Sequence, residues 1–207
     1  MYKNIVFDVD GTLINTEDSI LLALQEVLLT ELNKKYKAVD LEFVLGVPGT
    51  ATITEFGFSD PVKALKSWEE KMKTLAHKNI IFEGVMSLVT ALKSSGHTLG
   101  IVTSRREREC YGDPLFELLA DHFDYIVTAD STEKHKPDGQ PLLYFLDISK
   151  SRADETLYVG DTQYDSSCAQ HAGVDFYLAG WGAVEPQNIK SIEELTHPFD
   201  LMKHVMR

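Results

Sequence analysis

The sequence predicts an α/β fold, in which helices cover a parallel β-sheet and an all-helical segment is inserted after the first strand. Short apolar runs near residues 4–7, 98–102, 125–128, 156–159 and 175–178 are separated by helical patterns, as is typical of a parallel sheet covered on both faces. Residues 15–80 show helical periodicity alone. We therefore predict an α/β domain from residues 1–14 and 81–207, with a helical domain from residues 15–80.

The first strand runs directly into two carboxylates, Asp8 and Asp10. Its apolar residues 5–7 are typical of a strand buried on both faces. In open α/β sheets the ligand crevice lies just outside the carboxyl ends of the strands. Two carboxylates there oppose each other's ionisation, and a bound divalent cation reverses that penalty. Because Gly11 also permits an unusual turn, this stretch predicts a metal-dependent site.

The inserted segment contains several helical patterns. Apolar residues recur at helical spacing from Ile20 to Leu28, and shorter helices are predicted near Asp40 and over residues 50–56, with a loop at 46–49. Asp60-Pro61 is a strong start signal for a longer helix, whose Trp68 and Met72 we assign to the core. The segment carries a net charge of −2 against −10 for the remainder, which also indicates a separate unit.

After residue 80, helices and strands alternate. The helical patterns cover residues 84–95, 105–123 with a break at 112–114, 141–148, 166–172 and a tail from Ile192.

Polar groups stand at three further places where a crevice would lie. Thr103 and Ser104 end the strand at 98–102; hydroxyl and backbone N–H groups there suit a phosphate oxygen, although alone they are more often a helix cap. Lys136 precedes a proline and an apolar helix. Asp161 ends the strand at 156–159, and Asp165 follows one helical turn later.

These residues together carry a family resemblance. The string from Asp8 to Leu13, Asp-Val-Asp-Gly-Thr-Leu, resembles the nucleophile motif of the haloacid dehalogenase (HAD) superfamily, most of whose members are phosphatases. Thr103, Lys136 and Asp161 stand in the order of the other three motifs, and residues 15–80 resemble a C1-type cap. The resemblance covers essentially the whole chain and implies a Rossmann-like core with a helical cap, phosphoglycolate phosphatase-like in architecture.

By resemblance, Asp8 attacks phosphorus and forms an aspartyl-phosphate, which divides one difficult step into two easier ones. Asp10 protonates the leaving oxygen and then deprotonates the hydrolytic water. The phosphoryl group is bound by Thr103, Ser104 and Lys136.

The resemblance also implies Mg²⁺, held by the carboxylates of Asp8 and Asp161 and by the backbone carbonyl of Asp10. Mg²⁺ prefers hard oxygen ligands and retains several waters, which suits such a site. Two alternatives remain open for Asp165: it acts on the metal through water, or it orients Lys136.

Four further positions bear on the resemblance. Lys134 is the fallback for Lys136, and His135 is expected to be a bystander. Relatives often have a second proline where this chain has Gly139, and a proline where it has Glu83.

Composition limits the partners. The net charge of −12 disfavours nucleic acids and anionic membranes but is compatible with a small phosphorylated metabolite. No apolar run approaches the roughly 20 residues of a membrane span. The first strand leaves no room for a signal peptide, and Cys110 and Cys168 lack metal-ligand spacing, so we expect a cytoplasmic protein with reduced thiols, monomeric or homodimeric.

Other functions compete with a phosphatase. A haloacid dehalogenase would lack the acid–base aspartate at the place of Asp10, and a phosphonate hydrolase would need a Schiff-base lysine in the cap. A sugar phosphomutase resembling β-phosphoglucomutase is the main alternative enzyme, but residues 43–49 contain no basic group for a sugar phosphate. A catalytically silent binding protein on the same fold is the alternative from another class.

Overall fold

The computed structural model describes residues 1–45, 47 and 49–205, which form two compact units. The α/β unit comprises Met1–Ile14 and Ile81–Arg207, and the helical unit comprises Asn15–Ile80. Among the described residues, no helix combines the length and apolar character needed to cross a membrane.

The α/β unit is built on a six-stranded sheet whose neighbouring strands are all parallel, which confirms the predicted fold class. The strand order is β5-β4-β1-β6-β7-β8, and a second sheet pairs β2 with β3. The strands are β1 (Asn4–Phe7), β2 (Ile14–Asn15), β3 (Ile80–Ile81), β4 (Thr98–Val102), β5 (Tyr125–Val127), β6 (Thr156–Gly160), β7 (Asp175–Ala179) and β8 (Glu193–Leu195).

The α-helices are α1 (Glu17–Leu32), α2 (Gly49–Phe56), α3 (Pro61–Leu75), α4 (Val85–Ser94), α5 (Glu107–Cys110), α6 (Pro114–Ala120), α7 (Gln140–Ser149), α8 (Gln163–Ala172) and α9 (Met202–Val205). Short 3₁₀ turns occupy Ala38–Val44, Ala76–Lys78, Ala129–Ser131, Ala153–Glu155, Pro186–Asn188 and Pro198–Leu201.

Each unit has its own core. Successive residues of β1 point to opposite faces of the sheet, so Phe7 joins one apolar cluster while Val6 joins another with Tyr158. In the helical unit, α1 packs on α3, and the indole N–H of Trp68 donates to the carbonyl of Ile20 at 3.0 Å. The predicted core assignment of Trp68 is confirmed, since its side chain is buried.

The chain departs from the predicted elements in a few places. The tail from Ile192 does not begin as a helix: Glu193–Leu195 forms an edge strand beside β7, with Leu195 buried and both glutamates exposed. An edge strand tolerates such charged residues. Strands β2 and β3 were not predicted because two residues are too short to show a period. Of the predicted loop at 46–49, Gly46 and Pro48 lie outside the described residues.

Candidate active site

Neighbouring strands end at the same level and bring the candidate residues together. Phe7 lies opposite Ile101 of β4 and Val159 of β6, and the backbone N–H of Asp8 donates to the Val159 carbonyl at 2.9 Å. The strand order reverses between β1 and β6, since β4 and β5 follow on one side of β1 and β6 to β8 on the other. Ligands of open α/β sheets bind at such a switch point.

Asp8 and Asp161 are nearly buried carboxylates on the two sides of this switch point. Together with Asp165 they offer oxygens that lie within 4.8 Å of one another. Burial raises the pKa of Asp8 to about 7; Lys136 opposes this shift, and the neighbouring carboxylates Asp165 and Asp10 add to it. Burial and the charges of Asp165 and Asp8 also raise the pKa of Asp161 well above its ordinary value. Carboxylates in this situation gain from a nearby cation.

The turn after β1 lets Asp161 come close to the backbone. Gly11 has a φ of +74°, in the left-handed region, and a Cβ at this position would lie 2.0 Å from Oδ2 of Asp161. The hydroxyl of Thr12 donates to Oδ1 of the same carboxylate at 2.8 Å. The glycine therefore provides the space that Asp161 occupies, and Thr12 fixes its orientation.

Lys136 is a buried cation beside the ends of β1 and β6. Its Nζ is 2.9 Å from Oδ1 of Asp8, 2.7 Å from Oδ1 of Asp165 and 3.1 Å from the hydroxyl of Tyr158. Burial alone would lower the pKa of Lys136, but the charges of Asp165 and Asp8 outweigh it and raise the pKa on balance. An ammonium group has three N–H donors, so these acceptors use all of them.

Asp165 contacts Lys136 and is held within the protein. Its Oδ1 also accepts from the hydroxyl of Tyr158 at 2.8 Å, and its Oδ2 accepts from the backbone N–H of Thr162 at 3.0 Å and from the Thr162 hydroxyl. With both oxygens occupied and the side chain fully buried, this carboxylate is better placed to orient Lys136 than to bind a metal directly, although it lies close to Asp8.

The end of β4 presents one buried and one exposed hydroxyl. Thr103 is buried; its backbone N–H donates to the Val127 carbonyl at 3.0 Å, and its Oγ1 accepts from the backbone N–H of Arg105 at 3.1 Å. Ser104 is exposed. Both follow β4 at the carboxyl edge of the sheet.

Asp10 forms an ion pair that the sequence did not predict. Arg105 donates from Nε to Oδ2 of Asp10 at 2.9 Å and from Nη2 to Oδ1 at 2.7 Å. Its Nη1 donates to Oδ2 of Asp113 at 2.8 Å. Asp113 caps α6 at the predicted break, where its Oδ1 accepts from the backbone N–H of Leu115 at 2.9 Å.

The loop before α7 distinguishes its two lysines. Lys134 is exposed and pairs with Asp138 at 3.2 Å, whereas Lys136 reaches the buried carboxylates. A Cβ on Gly139 would lie 2.8 Å from the backbone N of Ala172. The position where relatives often have a second proline therefore has no room for a side chain in this protein.

Tyr158 and Arg105 are the principal residues that sequence reasoning missed. Tyr158 gave a weak signal, since it is a polar aromatic residue in a strand that is buried throughout. Arg105 gave less, because a charged residue after a strand is usually solvated. Its contact with Asp10 joins positions 95 residues apart.

The donor set fits a hard divalent cation. Asp8 and Asp161 are two adjacent buried carboxylates whose pKa values are raised, and the lysine beside Asp8 is also bonded to a third carboxylate. Carboxylate oxygens are the ligands that such cations prefer.

The sheet order and the buried acids at its switch point define an α/β protein with an acidic, metal-compatible crevice. A family model described as haloacid dehalogenase-like hydrolase matches residues 5–179, and the chain belongs to this family.

Relatives and solved structures agree with this membership. The chain is 32% identical over 203 residues to a protein of Caldanaerobacter subterraneus subsp. tengcongensis provisionally named pyrophosphatase PpaX, covering 96% of this chain and 85% of that protein. It is 30% identical over 181 residues to pyrophosphatase PpaX of Bacillus cereus, covering 86% and 83%. A Lactobacillus plantarum crystal structure, provisionally assigned as a phosphoglycolate phosphatase, matches with a TM-score of 0.90 and 29% identity, over 98% of this chain and 99% of that one.

Proposed function

We propose that this chain is a Mg²⁺-dependent phosphatase that hydrolyses a small-molecule phosphomonoester through an aspartyl-phosphate on Asp8. The observation that carries the proposal is the placement of the Asp8 carboxylate at the switch point, 2.9 Å from the ammonium group of Lys136 and beside Asp161. Membership of a hydrolase family supports it. Residues 1–14 and 81–207 form the catalytic core in this proposal, and residues 15–80 form a cap domain that contributes to substrate choice.

The residues divide the work of phosphoryl transfer, which depends mainly on positioning and charge neutralisation. The Asp8 carboxylate attacks phosphorus, and Lys136 offsets negative charge on the nucleophile and the phosphoryl group. Thr103 and Ser104 bind phosphoryl oxygens. Asp10 gives a proton to the leaving oxygen and later takes one from water, a contribution of about 10²–10⁴-fold in typical enzymes.

The metal would be held by the carboxylates of Asp8 and Asp161 and the backbone carbonyl of Asp10. Bound there, Mg²⁺ supplies positive charge that favours ionised Asp8 and polarises a phosphoryl oxygen. In this proposal Asp165 does not bind the metal directly and instead orients Lys136.

Hydrolysis of p-nitrophenyl phosphate with and without Mg²⁺ tests the proposal. We expect Mg²⁺-dependent turnover, and a loss of at least about 10³-fold for Asp8→Asn, because the amide is not a nucleophile. Asp147→Asn is the matched control, since Asp147 is exposed and forms an ion pair with another exposed side chain, Lys150, at 3.2 Å. Turnover that survives Asp8→Asn would contradict the proposal. The absence of any turnover would favour a silent binding protein.

Pyrophosphate is a second candidate substrate, because curated relatives at 30–32% identity are named pyrophosphatase PpaX. A panel of phosphoglycolate, sugar phosphates, nucleotides and pyrophosphate, compared by kcat/KM, would separate the two readings. A sugar phosphomutase would instead need a bisphosphate activator and would release little free phosphate.

A further inference from the structure

We propose that Arg105 is a positioning residue that fixes the carboxylate of Asp10 for proton transfer, with Asp113 as its anchor. The inference rests on the phosphatase function proposed above and assigns a task to an arginine that the reaction scheme does not otherwise use.

The contact between Arg105 and Asp10 is a two-bond fork. Nε and Nη2 of the guanidinium donate to the two different oxygens of the carboxylate, at 2.9 and 2.7 Å. Parallel bonds of this kind define the plane of the carboxylate as well as its distance, which a single bond cannot do. A lysine would supply the charge without this geometry.

The arginine is itself held from several sides. Its third nitrogen donates to Asp113 at 2.8 Å, and its side chain is only 12% exposed. Its backbone N–H donates to the hydroxyl of Thr103 at 3.1 Å, and its carbonyl accepts from Ala129 at 2.8 Å. The guanidinium therefore links the turn after β1 to the start of α6.

Rigid placement matters because proton transfer requires the carboxyl group of Asp10 within hydrogen-bond reach of the leaving oxygen. The fork holds the ionised carboxylate, so Asp10 carries its proton on one oxygen after the bond from Arg105 to that oxygen opens, and the other bond keeps the group in place. A misplacement of about 1 Å can cost on the order of 10²-fold in rate. The cost depends on the leaving group: p-nitrophenolate departs with little help from an acid, whereas an alkoxide requires a proton. Arg105 should therefore matter more for alkyl phosphates than for p-nitrophenyl phosphate.

The test compares kcat/KM for glycerol 3-phosphate and p-nitrophenyl phosphate in Arg105→Lys and Arg105→Ala. This parameter covers steps up to transfer of the phosphoryl group to Asp8, so later hydrolysis of the intermediate does not enter. Arg152→Ala is the matched control, because Arg152 forms the same fork with Asp154, at 2.9 and 2.7 Å, on the exposed surface.

We expect both Arg105 variants to lose at least about 10-fold more on glycerol 3-phosphate than on p-nitrophenyl phosphate. Added guanidinium should restore part of the alkyl activity of Arg105→Ala, and Arg152→Ala should keep the wild-type ratio. Arg105→Lys, which keeps a cation at the site, provides the comparison if Arg105→Ala does not fold.

An equal loss on the two substrates, or no loss, would overturn the positioning role while leaving the proposed function intact. A wild-type protein without Mg²⁺-dependent turnover of either substrate would overturn the proposed function, and this inference with it.

Discussion

The hydroxyl of Tyr158 offers a direct measure of how much the buried network around Lys136 stabilises the fold. It lies 3.1 Å from Nζ of Lys136, 2.8 Å from Oδ1 of Asp165 and 3.0 Å from the carbonyl of Val102. Tyr158→Phe removes this oxygen and keeps the ring, which packs against Phe176 with 6.1 Å between the ring centroids. The substitution therefore removes polar contacts while leaving the apolar packing in place.

The expected cost follows from the charges of the partners. A hydrogen bond to a charged group contributes about 1.5–3 kcal/mol, and a buried group left without a partner costs about 1–3 kcal/mol. Lys136 and Asp165 keep their own ion pair at 2.7 Å, which limits the loss. We expect the free energy of unfolding to fall by about 2 kcal/mol, which corresponds to a Tm lower by about 4–8 °C for a chain of this size.

Urea and thermal unfolding followed by circular dichroism would measure the change. Tyr2→Phe is the matched control, because the Tyr2 hydroxyl donates to Asp175 at 2.7 Å at an exposed position. Its loss should change the free energy of unfolding by no more than about 0.5 kcal/mol. If the two variants are equally stable, the buried hydroxyl contributes little and the reasoning is refuted.

Two further predictions concern the turn and the thiols. Gly11→Ala and Gly57→Ala both place a side chain at a φ near +70° (+74° and +73°), but only the side chain at position 11 would meet another group, Asp161. In urea titrations we therefore expect Gly11→Ala to lower the free energy of unfolding by at least about 1 kcal/mol more than Gly57→Ala does. Equal effects of the two substitutions would contradict this. Burial raises the pKa of Cys110 and of Cys168 to about 12. An aromatic disulfide reagent at pH 8 should therefore modify neither thiol in the native protein and both thiols in urea. Rapid labelling of either thiol in the native protein would contradict this.

Much of the fold could be predicted because most of its longer strands have a clear local sequence pattern. Residues 5–7 are apolar and run into Asp8, and the same pattern recurs before Thr103 and Asp161. Parallel strands in register bring their carboxyl ends to one edge, so polar residues far apart in the sequence could be expected near one another. The catalytic and ligand roles of these residues remain predictions.

The rest depends on packing that no local pattern carries. The position of α6 decides whether Arg105 reaches Asp10 or solvent, because the N-cap residue of this helix, Asp113, accepts a hydrogen bond from the guanidinium. Tyr158 is buried in its strand like its apolar neighbours, so its position in the pattern does not set it apart. Its hydroxyl contacts a charged group only because Lys136 approaches from another loop. The strand β8 was missed since three residues, two of them charged, fit a helical period as well as an extended one.

The close fit of Gly139 against the end of α8 has a consequence for building chimeras. The backbone of Ala172 occupies the space of a side chain at position 139, and Nδ1 of His171 lies 2.8 Å from the Pro137 carbonyl. A lysine loop transplanted from a relative with a second proline would therefore collide with this helix unless its last turn were transplanted too. The lysine loop and the last turn of α8 would therefore have to be exchanged together, although more than 30 residues separate them in the chain.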